Sequence, residues 1–187
     1  MKEAVEVTME SLAREAVAGD RAAFSRIVRR LMNQVAALTY RITGDKDTAL
    51  DLAQDTFVSA WENIRTWRGD AGFANWVFRI ATNKALNHLR SVSRHSTLDQ
   101  LHACEQETSG PDPERLLQRK ELSEQVREFM ATLPPQQCAI FELRFYKGMP
   151  FDEIAVAMER AVGTVKTGYR EAVKKLRLYA EQKGWRQ

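Results

Sequence analysis

With 187 residues, the chain has room for one domain or two small ones. Its 28 basic and 25 acidic side chains leave a net charge of only +3, which argues against a polycation that coats nucleic acid and for contact through selected faces. Two cysteines exclude a disulfide framework, and without an 18-residue apolar run no membrane-spanning helix is expected.

The opening MKEAVEVTMESLAREAV mixes acids into its apolar positions and lacks a signal peptide's apolar stretch, so a cytoplasmic location is expected. Residues 1–19 read as an N-terminal helical extension closed by Gly19, and Asp20 is suited to cap the next helix. That helix runs over residues 21–42 on a stripe of Phe24, Ile27, Val28, Leu31, Val35 and Leu38. Thr43, Gly44 and Asp45 break it. Asp47 then caps a second long helix whose apolar stripe is Leu50, Ala53, Phe57, Ala60, Trp61 and Ile64. TWRGDAG, residues 66–72, reads as a loop. A third helix is expected over residues 73–81 and a fourth over 83–93, with Asn83 at their junction and Phe73 and Val77 in the core.

The helical pattern collapses after Arg94. SRHSTLDQLHACEQETSGPDP has few large apolar residues and ends in linker chemistry, so residues 95–113 read as a flexible tether. Pro113 starts a helix through Leu116, Leu117, Leu122, Val126 and Met130, and another spans residues 136–146. Cys138, among Ala139, Ile140 and Phe141, reads as a small core residue. The expected architecture is all-α: two small helical domains, residues 20–94 and 114–187, on either side of the tether.

The last segment, FDEIAVAMERAVGTVKTGYREAVKKLR, reads as a helix-turn-helix. Phe151, Ile154, Ala155 and Met158 form the apolar face of its first helix, and Glu159 to Ala161 break it. Val162, Val165, Tyr169, Ala172 and Leu176 share one stripe of the second. Gly163, Thr167, Arg170 and Lys174 fall opposite, flanked by Lys166, Glu171 and Arg177. A helix with its back in a small core and a basic, hydroxyl-bearing front suits the major groove. Gly168 is unfavourable in mid-helix; it either admits a close approach to DNA or is merely tolerated.

No catalytic or metal constellation emerges. His88, His95 and His102 lack triad partners, and His102 with Cys104 lacks a second ligand pair. Neither enzymatic activity nor a cofactor is expected.

Taken in order, DTALDLAQDTFVSAWENI, TWRGDAGFANWVFRIATNKALNHLR, LPPQQCAIFELRFYKGMPFDEIAVAM and VGTVKTGYREAVKKLR resemble the extracytoplasmic-function sigma factors, the minimal two-domain class of bacterial transcription initiation factors. The resemblance covers roughly residues 20–95 and 115–180. It implies that the second long helix, through Asp51, Gln54, Asp55, Ser59 and Glu62, docks on the clamp coiled coil of the largest subunit of core RNA polymerase. It implies also that Arg79, Asn83, Lys84, Asn87, His88 and Arg90 meet the melted −10 element, with Asn83 at a pocket for an unstacked base. Arg144, Lys166, Thr167, Arg170 and Lys174 would meet the double-stranded −35 element. Glu171 stands where relatives often carry a basic residue, which leaves the −35 sequence open. An anti-sigma factor, often membrane-anchored, is implied as regulator, without insertion of this chain into the membrane. A tether of about 18 residues reaches roughly 60 Å, enough for nearly two turns of DNA. The alternatives are a conventional helix-turn-helix regulator with an N-terminal dimerisation or sensing bundle, and a helical adaptor that binds only protein. The first explains the C-terminal half equally well; the basic face weighs against the second.

Overall fold

The computed structural model describes residues 8–95 and 124–184, and every regular element among them is helical. Most of the expected tether, Pro113 with the helix start assigned to it, and the His102–Cys104 pair lie outside the described residues.

The first bundle has four helices. α1 (Met9–Val17) begins at Thr8, whose hydroxyl accepts from the Ser11 amide at 3.1 Å. It is more than an appended terminus: Leu12, Ala13 and Ala16 are buried in the same core as the helices that follow. α2 (Arg21–Thr43) is capped as expected, with the Asp20 carboxylate accepting from Ala22 and Ala23 amides at 2.7 and 3.1 Å. Gly44, at φ +75°, ends it in the left-handed conformation that glycine adopts without strain. The cap of α3 (Lys46–Glu62) corrects the sequence reading. Asp45 accepts from the Thr48 amide at 2.8 Å, while Asp47 sits in the first turn. Gly44 turns the chain early, so Asp45 already has the extended backbone a cap needs. The buried Thr39 hydroxyl lies 2.9–3.0 Å from the carbonyls of Val35, Ala36 and Ala49, so the α2–α3 seam leaves it no unmet bond.

A second correction concerns α4, which runs unbroken from Phe73 to His95. There is no junction at Thr82–Asn83. Val77, Phe78, Ala81, Ala85 and Leu86 are all buried, and this stripe continues through the supposed break. Packing over 23 residues outweighs the weak helix preference of Thr82 and Asn83.

The second bundle contains α5 (residues 124–131), α6 (Pro135–Phe141), α7 (Phe151–Ala157) and α8 (Val162–Gln182). The helix expected over 136–146 loosens after Phe141 into a π-helical turn, Glu142–Tyr146, closed by the Lys147 amide on the Glu142 carbonyl at 3.2 Å. Phe129, Phe141, Leu143, Ile154, Val165 and Ala172 form its core. Gly168 is half-buried here, and a Cβ on it would stand 2.8 Å from Ile140 Cδ1. The missing side chain thus lets α8 seat closely on α6.

The two bundles touch. α6 packs on α2 and α7 on α4. Cys138 Sγ donates to the Arg41 carbonyl at 3.0 Å, and Arg41 Nη1 donates to Glu142 Oε1 at 2.6 Å. Lys147 Nζ donates to Gln34 Oε1 at 3.3 Å and lies 4.6 Å from the Phe78 ring centre.

Candidate nucleic-acid interface

A cleft of about 740 Å³ opens beside α4. One side comes from Ser59 and Asn63 of the α3 end, the connecting residues Thr66, Trp67, Arg68, Asp70 and Ala71, and Asn75, Trp76, Arg79, Ile80 and Asn83 of α4, and the other from residues of the second bundle around α7. The loop is held rigidly by aromatic packing. Trp67 Nε1 donates to the Ala71 carbonyl at 3.0 Å, the Trp67 and Phe73 rings meet edge-on at 5.2 Å, and Phe73 lies 5.3 Å from Trp76. Phe73 is fully buried, and Trp76 keeps part of its surface at the cleft. Three amides, two guanidinium groups and two indoles lining one hollow suit an unstacked base and its phosphates.

Arg79 and Asn83 therefore meet in one cleft, as their types suggested. Lys84, Asn87, His88 and Arg90 do not line it. At about 100° per residue, Asn87 and Arg90 continue the Trp76–Arg79–Asn83 face along α4, and Arg90 Nη1 donates to Asn87 Oδ1 at 2.9 Å. Lys84 and His88 stand further round the helix, half-exposed. Sequence reasoning missed the walls: Asn63, Trp67, Arg68 and Trp76. The signal lay in TWRGDAGF, where Trp67 and Phe73 flank a tight turn at Gly69, φ +82°.

On α3 the expected acidic stripe divides. Asp51, Gln54, Asp55 and Glu62 are exposed, with Val58 (56% exposed) centred among them at helical spacing and Leu50 (42%) beside them. Ser59 instead belongs to the cleft wall. An apolar residue inside an acidic row suits a basic partner helix better than water.

The second basic site is split between elements. Arg144 donates to the Met149 carbonyl at 3.1 Å and stacks 4.8 Å over Phe151, which fixes its guanidinium beside Lys166 across a surface cavity of about 330 Å³. Thr167, Arg170 and Lys174 are exposed on the outer face of α8, and Val165 and Ala172 are fully buried behind them.

Shifted groups occur at the Glu128–Tyr179–Lys183 contact within the second bundle and between the two bundles. Glu142 has no exposed surface, and burial raises its carboxyl above the ordinary value despite the Arg41 and Lys147 charges that oppose the shift. Burial and then the Glu142 charge push the Cys138 thiol up to about 12, so it behaves as an inert core group. Desolvation also lowers the Lys147 ammonium.

Residues 27–95 match the family profile of Sigma-70 region 2, and residues 123–176 match that of Sigma-70, region 4. The chain is 32% identical over 168 residues to the RNA polymerase sigma-H factor of Pseudomonas aeruginosa, covering 84% of this chain and 87% of that protein. It belongs to the extracytoplasmic-function sigma factors. The ECF RNA polymerase sigma-E factor of Escherichia coli is also 32% identical, over 170 residues, with 87% of this chain and 88% of that protein covered. In three dimensions the sigma factor resembles CnrH, solved in complex with the cytosolic domain of CnrY, at TM-score 0.64 and 24% identity over 91% of this chain and 96% of that one. RpoE of Bartonella quintana, solved with the anti-sigma factor NepR, shares the fold at TM-score 0.67 and 18% identity over 84% and 96%. A sigma factor is a non-enzymatic initiation factor that directs core RNA polymerase to promoters. Among the described residues, no helix is long and apolar enough to cross a membrane.

Proposed function

We propose that this sigma factor divides promoter reading between its two bundles. The α4 cleft captures a base of the strand-separated −10 element, with Asn83 and Asn63 on its edge, Trp76 as a stacking face, and Arg79 and Arg68 toward the backbone. The convergence of Trp76, Arg79 and Asn83 on one hollow carries this reading. Asn87 and Arg90 extend the track along α4, while Lys84 and His88 meet phosphates from its flank. Unstacking a base costs a few kcal/mol, which stacking and hydrogen bonds in the cleft offset without covalent chemistry.

The outer face of α8 reads the −35 duplex through Lys166, Thr167 and Arg170, and Arg144 and Lys174 hold its backbone. Asp51, Gln54, Asp55 and Glu62, with Val58 at their centre, dock on a basic coiled coil of the polymerase clamp, and Ser59 serves the cleft. Residues 20–94 and 114–187 are the two functional domains, with 95–113 as the tether between them, and α1 completes the first core. The protein works in the cytoplasm, and an anti-sigma factor, which in the NepR complex holds a protein of the same fold, restrains it until induction.

Transcription reconstituted with core polymerase on a randomised promoter library tests the whole reading. Two sequence blocks about two helical turns apart should emerge. A single palindromic block selected by the protein alone would favour the dimeric regulator instead.

A further inference from the structure

The contact between the bundles closes one side of the −10 cleft. α7 rests along it: Met149, Asp152, Glu153, Val156 and Ala157 line the same hollow as Asn83. Asn75 Nδ2, inside the cleft, already donates to Glu153 Oε2 at 2.9 Å. A carboxylate that accepts from an amide at the cleft mouth takes the place open to a base carbonyl or a phosphate oxygen. Next to this contact, the π-turn carries Glu142 into the seam, where Arg41 meets it at 2.6 Å with its guanidinium 4.7 Å from the Tyr146 ring centre. Glu142 Oε2 is buried without a hydrogen-bond partner among the described residues. A single guanidinium thus carries the hydrogen bonding of that buried carboxyl, and losing it leaves the group unmet. Lys147 on Gln34 and over Phe78, and Cys138 on the Arg41 carbonyl, close the rest of the seam.

We propose that the polymerase-free protein inhibits itself, with α7 as a wall that narrows the −10 cleft and engages Asn75, and the Arg41–Glu142 pair as the latch that holds it there. The inference rests on reading the α4 cleft as the −10 site. It follows that polymerase separates the bundles as well as spacing them, because one closed body cannot span two elements about two turns apart. It follows too that free protein binds a −10 strand only through its open fraction. If that fraction is about 1–10%, release raises the apparent affinity roughly ten- to hundredfold.

The test uses the full chain and, as probe, a fluorescent single strand carrying the −10 block selected by holoenzyme in the library experiment. Arg41→Ala removes the latch from a half-exposed site outside either core. Glu153→Ala removes the carboxylate that engages Asn75 from the half-buried, cleft-facing side of α7. Both should raise the affinity of the free protein for the strand about tenfold or more. Spin labels on Asn33→Cys and Gln182→Cys, in a Cys104→Ser background, should report one narrow distance in the wild type and a longer, broad distribution for Arg41→Ala. A missing gain in either variant, or a wild-type distribution already as broad as that of Arg41→Ala, overturns the proposal. If holoenzyme selects no −10 block, the cleft assignment fails instead, and the label distances still decide whether the latch closes the molecule.

Discussion

Gly168 gives the sharpest quantitative test of how the reading helix is seated. Replacing it by alanine in a free helix would gain up to about 1 kcal/mol. Here the new Cβ would stand 2.8 Å from Ile140 Cδ1, against about 3.5–4.0 Å for carbon atoms at rest. Ile140 is only 5% exposed, so its terminal methyl, the flexible end of the side chain, must rotate within a packed core to make room. Overpacking costs about 1–3 kcal/mol, and the low end applies where a terminal methyl can rotate away, so Gly168→Ala should lose the helix gain of about 1 kcal/mol and come out near the wild type. Ile140→Val deletes the clashing carbon and alone costs about 0.5–1.5 kcal/mol. In the double variant the clash disappears and the helix gain remains, leaving stability near that of the wild type. The coupling is then about 1 kcal/mol in favour of the pair. Urea unfolding followed by far-ultraviolet circular dichroism measures it from midpoints at constant slope. Effects that add to within about 0.5 kcal/mol refute the packing argument. A double variant that regains stability but loses −35-dependent transcription would restore the idea that Gly168 admits DNA.

Three further outcomes are expected. Leu12→Ala, in a fully buried position on α1, should destabilise the first bundle by about 2–5 kcal/mol; a melting temperature unchanged from wild type would return α1 to the status of an appendage. Burial raises the Glu142 carboxyl from its ordinary 4.5 in the closed form, so closing takes up a proton. Closure should therefore strengthen as pH falls toward 4.5 and weaken as pH rises through the raised value, read from the Asn33–Gln182 distance. Of the groups facing Glu142, burial raises the Tyr146 hydroxyl and the Cys138 thiol and lowers the Lys147 ammonium, and Arg41 donates to the carboxylate. Glu142→Gln should flatten the profile, and an unchanged slope in that variant would assign it elsewhere. Finally, Asp51→Lys with Asp55→Lys should weaken binding to core polymerase at least tenfold in competition with the wild type, and equal competition would make the α3 row a solvated face.

Much of the fold was legible because its signals are local. The α2 stripe, the Asp20 cap, the Gly44 stop and the helix-turn-helix each follow from residues within a few positions of one another. The break at Asn83 was read from two residues of weak helix propensity, although the Val77–Phe78–Ala81–Ala85 stripe runs straight through them. The cap at Asp45 depended on where Gly44 turned the chain. What stayed hidden was tertiary. Glu142 looks like any surface acid until the π-turn carries it into the seam, and Ser59 looks like a member of the acidic row until the 63–72 loop folds over it. Gly168 has no reason in its own helix, only in Ile140 across the interface. Residue types announced the cleft's floor, Arg79 and Asn83, but its walls come from a loop ordered by Trp67 on Phe73.

The central claim is that one bundle reads separated strands and the other reads duplex. Holoenzymes carrying Asn83→Ala and Arg170→Ala, compared on one promoter, test it directly through closed-complex affinity and open-complex rate measured separately. Asn83→Ala should leave closed binding intact and slow opening about 5- to 150-fold, the equivalent of about 1–3 kcal/mol for one base-edge contact. Arg170→Ala should weaken closed binding by a similar factor. Equal losses in both steps for Asn83→Ala would contradict the account.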